Sequence, residues 1–125
     1  MAEEARRKTK EERIRGEKNR LTKLFKELPE KKKKLAIGLI ERAAFMRVEL
    51  EDLEEDLKEN GWTEPFQQSE KMEPYDRARP QGQTYNTMNT SYQKIMRQLH
   101  DMLPVEAAKP KDDGFDAFVT GRDGP

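Results

Sequence analysis

Residues 30–57 read EKKKKLAIGLIERAAFMRVELEDLEEDL, and the fold depends on how this stretch is read. Leu39, Ala43, Met46, Leu50, Leu53 and Leu57 stand at spacings of 4, 3, 4, 3 and 4. That alternation puts them along one side of a helix, as in the a/d seam of helices packed side by side. Pro29 suits the first turn of such a helix, where a missing N–H costs nothing. Asn60-Gly61 supplies a C-terminal signal. The spacing therefore predicts one long central helix from Pro29 to about Glu59. Its charges run against the helix dipole, with Lys31, Lys32, Lys33 and Lys34 at the positive N-terminal end and a row of acids at the negative C-terminal end. Each misplaced charge forgoes about 0.3–1 kcal/mol.

Working outward, Ile14, Leu21, Leu24, Phe25 and Leu28 recur at roughly helical spacing, so a first helix is expected from Lys10 to Pro29. On the other side, Tyr85, Met88, Tyr92, Ile95, Leu99 and Met102 are spaced 3, 4, 3, 4 and 3, which predicts a third helix over about Gln83 to Leu103, stopped by Pro104. Residues 61–83 between them hold Pro65, Pro74, Pro80, Gly61 and Gly82 and read as a loop, with Trp62, Phe66 and Tyr75 available to pack against the helices. The expected fold is all-α: a short basic N-terminal helix, a long central helix and a third helix forming a helical hairpin, between disordered termini. The organisation that follows is a polar tail over 1–9, a basic helix pair running into the central helix over 10–60, a loop over 61–83, a seam helix over 84–104 and a flexible tail over 105–125. Two matched seams permit either an antiparallel hairpin within one chain or a bundle between chains.

At 125 residues, with 33% apolar and 40% charged residues, the chain has room for one domain and a small core. Such helices are expected to finish their burial against other copies. There is no cysteine, so neither disulfides nor thiolate metal sites enter, and a reducing compartment fits. No apolar leader opens the sequence and no apolar run reaches membrane-spanning length, so a soluble intracellular protein is expected.

The net charge of zero conceals segregation. Residues 1–34 hold 14 Lys/Arg against 7 Asp/Glu, residues 35–60 hold 3 against 8, and residues 61–125 hold 8 against 10. The basic block suggests a cationic face for a phosphate backbone, carried by Arg13, Arg15, Arg20, Lys23, Lys31, Lys32, Lys33 and Lys34, with Lys26 beside them. Two basic helices joined at a proline loosely follow a helix-turn-helix, although no recognition-helix pattern for reading bases stands out. The plain alternative is a solvated helix start. The acidic block, Glu49 to Glu59, is either a solvated outer face or the counterpart of a neighbouring subunit's basic head, an arrangement that can close into a ring. In the tail, DDGFDAFV places Phe115, Phe118 and Val119 at i, i+3 and i+4 behind Asp112 and Asp113, a segment suited to docking in a partner's groove.

Signs of catalysis are absent. His100 is the single histidine and reads as a surface or boundary residue. No Gly-Lys pair offers a phosphate loop, and the carboxylates have no His or Cys partner for a metal. A non-enzyme without cofactor or metal is expected.

Three segments resemble the small terminase subunits of tailed bacteriophages and prophages of Gram-positive bacteria. They are ELPEKKKKLAIGLIERAAFMRVELEDLEEDLKENG, YNTMNTSYQKIMRQLHDMLP and the acidic aromatic DDGFDAFV, with LIERAAFM and YNTM the most specific parts. The resemblance runs from about Lys10 to Val119. It implies a DNA-packaging factor of the bacterial host cytoplasm that binds double-stranded viral DNA at the packaging site, assembles as a ring and passes the DNA to a large terminase subunit carrying ATPase and nuclease. It also implies that the N-terminal part meets DNA and that the C-terminal segment, Phe115, Phe118 and Val119, meets the motor. The two seams, Leu39, Met46, Leu50, Leu53 and Leu57 with Tyr85, Met88, Tyr92, Ile95 and Leu99, would then oligomerise. This chain departs from the family pattern at its front, where only Lys10 to Met46 could supply a helix-turn-helix. A head-assembly or scaffolding protein using the same seams, and a small dimeric DNA-binding regulator, are the competing readings.

Overall fold

A computed structural model describes residues 8–104. The expectations for residues 1–7 and for 105–125, including the segment with Phe115, Phe118 and Val119, lie outside the described residues. The order of elements is α1 (Lys10–Leu24), α2 (Glu30–Asn60), β1 (Thr63–Phe66), β2 (Tyr75–Ala78) and α3 (Pro80–Asp101). The described part is largely all-α, as the periodicity predicts.

Helix α1 starts on a capping box. Glu12 N–H donates to Thr9 Oγ1 at 3.1 Å, and Thr9 N–H donates to Glu12 Oε1 at 2.8 Å. Two of the orphan donors of the first turn are thereby satisfied. The helix stops at Leu24, four residues before Leu28. Phe25 and Leu28 are buried in the turn that follows, whereas Leu24 is 55% exposed, so its place on the predicted apolar face is corrected. The turn, not the helix, delivers the last apolar contacts of this arm.

Helix α2 begins one residue after Pro29, its N-cap, and ends where Gly61 takes φ 84° and ψ 177°. That backbone region is almost exclusive to glycine. Two faces of α2 are buried. The predicted seam, with Leu39, Ala43, Met46 and Leu50, packs in the core with Tyr92, Ile95 and Leu99 of α3. A second stripe, Ala36, Ile40, Ala44 and Val48, repeats every four residues and is also buried. It faces α1, since Phe25 and Leu28 line one cleft with Ala36 and Ile40 while Ile14 lines another with Ala44. A row at i, i+4 forms a ridge that a neighbouring helix can seat against, and its alanines let the backbones come close.

Both neighbours run antiparallel to α2. Arg13 near the start of α1 meets Asp52, and Lys18 meets Glu41. On the other side Tyr85 meets Glu54, while Lys32 reaches the carbonyl of Met102. The choice between a hairpin within the chain and a bundle between chains is therefore settled for these seams. Leu50, Leu57, Tyr92 and Leu99 are buried by their own chain, and Leu39, Met46, Tyr85, Met88 and Ile95 pack against the same core. Leu53 is half-buried. Within one chain the two seams pack on one another, so Leu50, Leu57, Tyr92 and Leu99 present little surface to another copy, whereas Leu39, Met46, Leu53, Tyr85, Met88 and Ile95 stay partly exposed.

Residues 61–83 are not a plain loop. β1 and β2 pair antiparallel with Thr63 opposite Ala78, Glu64 opposite Arg77, Pro65 opposite Asp76 and Phe66 opposite Tyr75. Side chains on the two strands hold the pairing: Arg77 Nε donates to Glu64 at 2.8 Å and its guanidinium lies 3.9 Å over the Phe66 ring. Phe66 and Tyr75 meet edge to face at 5.7 Å. The ribbon is tied to α2 by Arg79, which donates to the Gly61 carbonyl at 2.6 Å and to Asp56 at 2.7 Å. α3 starts at Pro80, earlier than the expected Gln83, because proline is tolerated at the first helical position. Gly82 in that first turn lies against Trp62, where an added Cβ would come within 3.0 Å of the indole.

Candidate nucleic-acid interface

The antiparallel pairing of α1 with α2 decides where charge survives. At one end the basic start of α1 lies along the acidic end of α2. Lys10 meets Glu49 at 2.9 Å and Asp52 at 3.4 Å, while Arg13 donates to Asp52 at 2.8 Å and to Glu51 at 3.1 Å. The Arg13 guanidinium, then burial and the Lys10 ammonium acting in opposite senses, leave the Asp52 carboxyl below its ordinary range. The same contacts raise Arg13, its bond to Asp52 most of all. Seven of the acids lie between Glu49 and Glu59. Glu49, Glu51 and Asp52 of that block are thus paired with the chain's own basic head.

At the other end the excess remains. Residues 18–34 hold eight Lys/Arg against two Asp/Glu, and they fold into the end of α1, the turn and the start of α2. Lys23, Lys26, Lys31 and Lys34 are exposed there and make no ion pair with another described residue. Lys33 is half-buried and stands 3.5 Å from Glu30.

The lysines at the start of α2 are less misplaced than a single helix suggests. Because α1 and α3 both run antiparallel to α2, their C-termini sit beside this N-terminus. Lys32 Nζ donates to the Met102 carbonyl at 3.1 Å, at the end of α3. A cation there is favourable, since helix C-termini carry partial negative charge. For Lys32 this contact offsets the opposing dipole of α2. In the sequence only the dipole of the helix that carries the lysines is visible.

The predicted cationic set is therefore divided. Arg13 lies opposite Asp52, eighteen residues beyond Lys34, or about 27 Å along α2 at about 1.5 Å per residue. It belongs to the paired end and not to the lysine end. Arg20 is held by Glu17 through two hydrogen bonds of 2.9 and 2.6 Å. Arg15 is exposed midway along α1. Lys23, Lys31 and Lys34 are brought together at the tip with Lys26, while Lys32 and Lys33 are at the tip with partners of their own. Sequence reasoning missed that the second apolar stripe orients α1; its signal was the fourfold spacing of Ala36, Ile40, Ala44 and Val48.

The β-ribbon is a poor anion site, because Glu64, Glu70, Glu73 and Asp76 outnumber Lys71 and Arg77. With the seams closed, Leu35 and Phe45, 69% and 46% exposed, remain on the outer face of α2. His100 is on the surface, 3.7 Å from Asp101. Among the described residues no group of three or more His, Cys, Asp or Glu is placed to hold a metal, and no helix is long and apolar enough to cross a membrane. Comparison with models of protein families, with characterised proteins and with solved structures finds no match.

Proposed function

We propose that this protein is a viral DNA-packaging factor of the small-terminase type, which grips double-stranded DNA through phosphates at the lysine tip where α1 turns into α2. The observation that carries the reading is the separation of charge: at one end of the helix pair the basic head is paired with Glu49, Glu51 and Asp52, and at the other Lys23, Lys26, Lys31 and Lys34 stand exposed with no ion pair to another described residue. Lysines on the ends of two helices and their turn present a curved cationic surface that suits a phosphate backbone without reading bases.

One such tip binds weakly. Several copies held together multiply the contacts, and linked sites can gain two to four orders of magnitude in avidity. Exposed apolar side chains such as Leu35 and Phe45 on α2 and Trp62, Met72 and Tyr75 beyond it are available for contact between copies. In this reading the assembled tips hold packaging-site DNA in the host bacterial cytoplasm, and the C-terminal acidic aromatic segment engages the large ATPase-nuclease subunit. Native mass spectrometry with and without duplex DNA tests the reading. Multimers that take up duplex in dilute buffer support it. Large assemblies that ignore DNA would instead favour a scaffolding role, and a dimer on one duplex a small regulator.

A further inference from the structure

Between α1 and α2 lies a cleft of about 240 Å³ lined by buried Phe25, Leu28, Ala36 and Ile40, with Thr22 and the lysines Lys18, Lys26 and Lys33 around it. Ile37 is 51% exposed at its mouth. An apolar floor has no use for a phosphate, and a basic rim has none for a purely apolar ligand. The chemistry calls for an occupant with bulky apolar side chains and neighbouring carboxylates. The volume falls below the range of small-molecule sites, about 300–1,000 Å³, and suits one or two side chains of a peptide.

We propose that the occupant is the chain's own segment Asp112–Val119, seated in this cleft in the unengaged protein. Phe115 and Phe118 would lie on the apolar floor, and Asp112, Asp113 and Asp116 would face the lysine rim. This segment holds three acids and no base over eight residues; on the rim Lys26 makes no ion pair with another described residue, and Lys18 and Lys33 would share or exchange their contacts to Glu41 and Glu30. The chain also leaves the described part at the right place. Met102 is bonded to Lys32, and Lys32 to Ile37 is five residues of helix, or about 8 Å along the axis. Crossing to the α1 side adds roughly one helix diameter, about 10 Å. Eleven residues join Pro104 to Phe115, a contour of about 36 Å at about 3.3 Å each. A tether of that order gives an effective concentration in the millimolar range, so even a weak seat is filled. The inference does not depend on nucleic-acid binding. It gives the segment a resting place from which a partner would have to displace it.

The chain has no cysteine, so Thr120→Cys in the full-length protein offers a single attachment point for a nitroxide. Amide signals of isotopically enriched protein are then compared with the label oxidised and reduced. The proposal expects selective loss of signals from Thr22, Ala36, Ile37 and Ile40, with recovery when Phe115→Ala and Phe118→Ala are added. Ile37→Asp, at an exposed position that the fold tolerates, should also restore them. Signals retained throughout would overturn the proposal. So would losses that persist when enriched unlabelled chains are mixed with labelled, unenriched ones, since the occupant would then be another copy's segment.

Discussion

If α1 lies antiparallel on α2, Arg13 and Asp52 are coupled, although they stand 39 residues apart in the sequence. The perturbation is a double-mutant cycle of Arg13→Gln and Asp52→Asn. Arg13 Nη1 is 2.8 Å from Asp52 Oδ1, and the side chains are 31% and 42% exposed. Coulomb attraction at that distance is about 1.5 kcal/mol in bulk water and about 6 kcal/mol at an effective dielectric near 20. The exposure of both partners brings solvent screening close to the water limit, and fixing two long side chains offsets part of what is left. The expected coupling is therefore about 0.5–1 kcal/mol, at the upper end for surface pairs. For a domain of this size that moves the melting temperature by about 2–4 °C.

The sign with pH follows from the shift. Asp52 is held below its ordinary value of 3.8, mainly by its bond to Arg13. Its stabilisation is thus fully present above the unfolded value and disappears as pH falls through the folded one. Thermal unfolding of the four proteins in low salt at neutral pH, and again at the acid end of the carboxylate range, measures both. Zero coupling at neutral pH in low salt, or coupling undiminished in acid, would refute the antiparallel placement of α1.

Other predictions concern the core and the ribbon. Leu99 is fully buried, so Leu99→Ala should cost about 3–5 kcal/mol by denaturant unfolding, whereas Leu24→Ala, more than half exposed, should change stability by about 0.5 kcal/mol or less. Gly61→Ala forces a methyl group into φ 84°, ψ 177° and should cost about 1–3 kcal/mol. Arg79→Leu removes the tie to Gly61 and Asp56, so hydrogen exchange over Thr63–Ala78 should quicken while the amides of α2 between Ala36 and Leu50 keep their protection.

Much of this architecture is legible in the residues alone. The central helix and its ends, the two heptad seams and the stop at Pro104 all follow from spacing and from proline and glycine chemistry. The β-ribbon is not legible, because its strands are four residues each, carry Pro65 and are mostly exposed, so no alternation of apolar and polar residues marks them. The early end of α1 is hidden for a related reason: Phe25 and Leu28 keep roughly helical spacing while lying in a turn. The candidate site is half legible. Composition reveals that the head is basic and the middle acidic, but only the relative direction of α1 and α2 decides which bases are consumed. Arg13 and Lys31 look alike in the sequence, yet one is paired with two carboxylates and the other stands exposed at the tip.

The most direct measurement of the central idea is the salt dependence of duplex binding by the full-length protein and two variants. The first carries Lys23, Lys26, Lys31 and Lys34 as glutamine; the second is Arg13→Gln. The slope of log K against log salt falls by about 0.9 for each phosphate that is no longer neutralised. Removing four tip lysines should therefore flatten it by up to about 3.6 per chain engaged and weaken binding to unrelated duplexes alike, while Arg13→Gln leaves the slope as it was. An unchanged slope in the lysine variant, or an equal flattening from Arg13→Gln, would contradict the account.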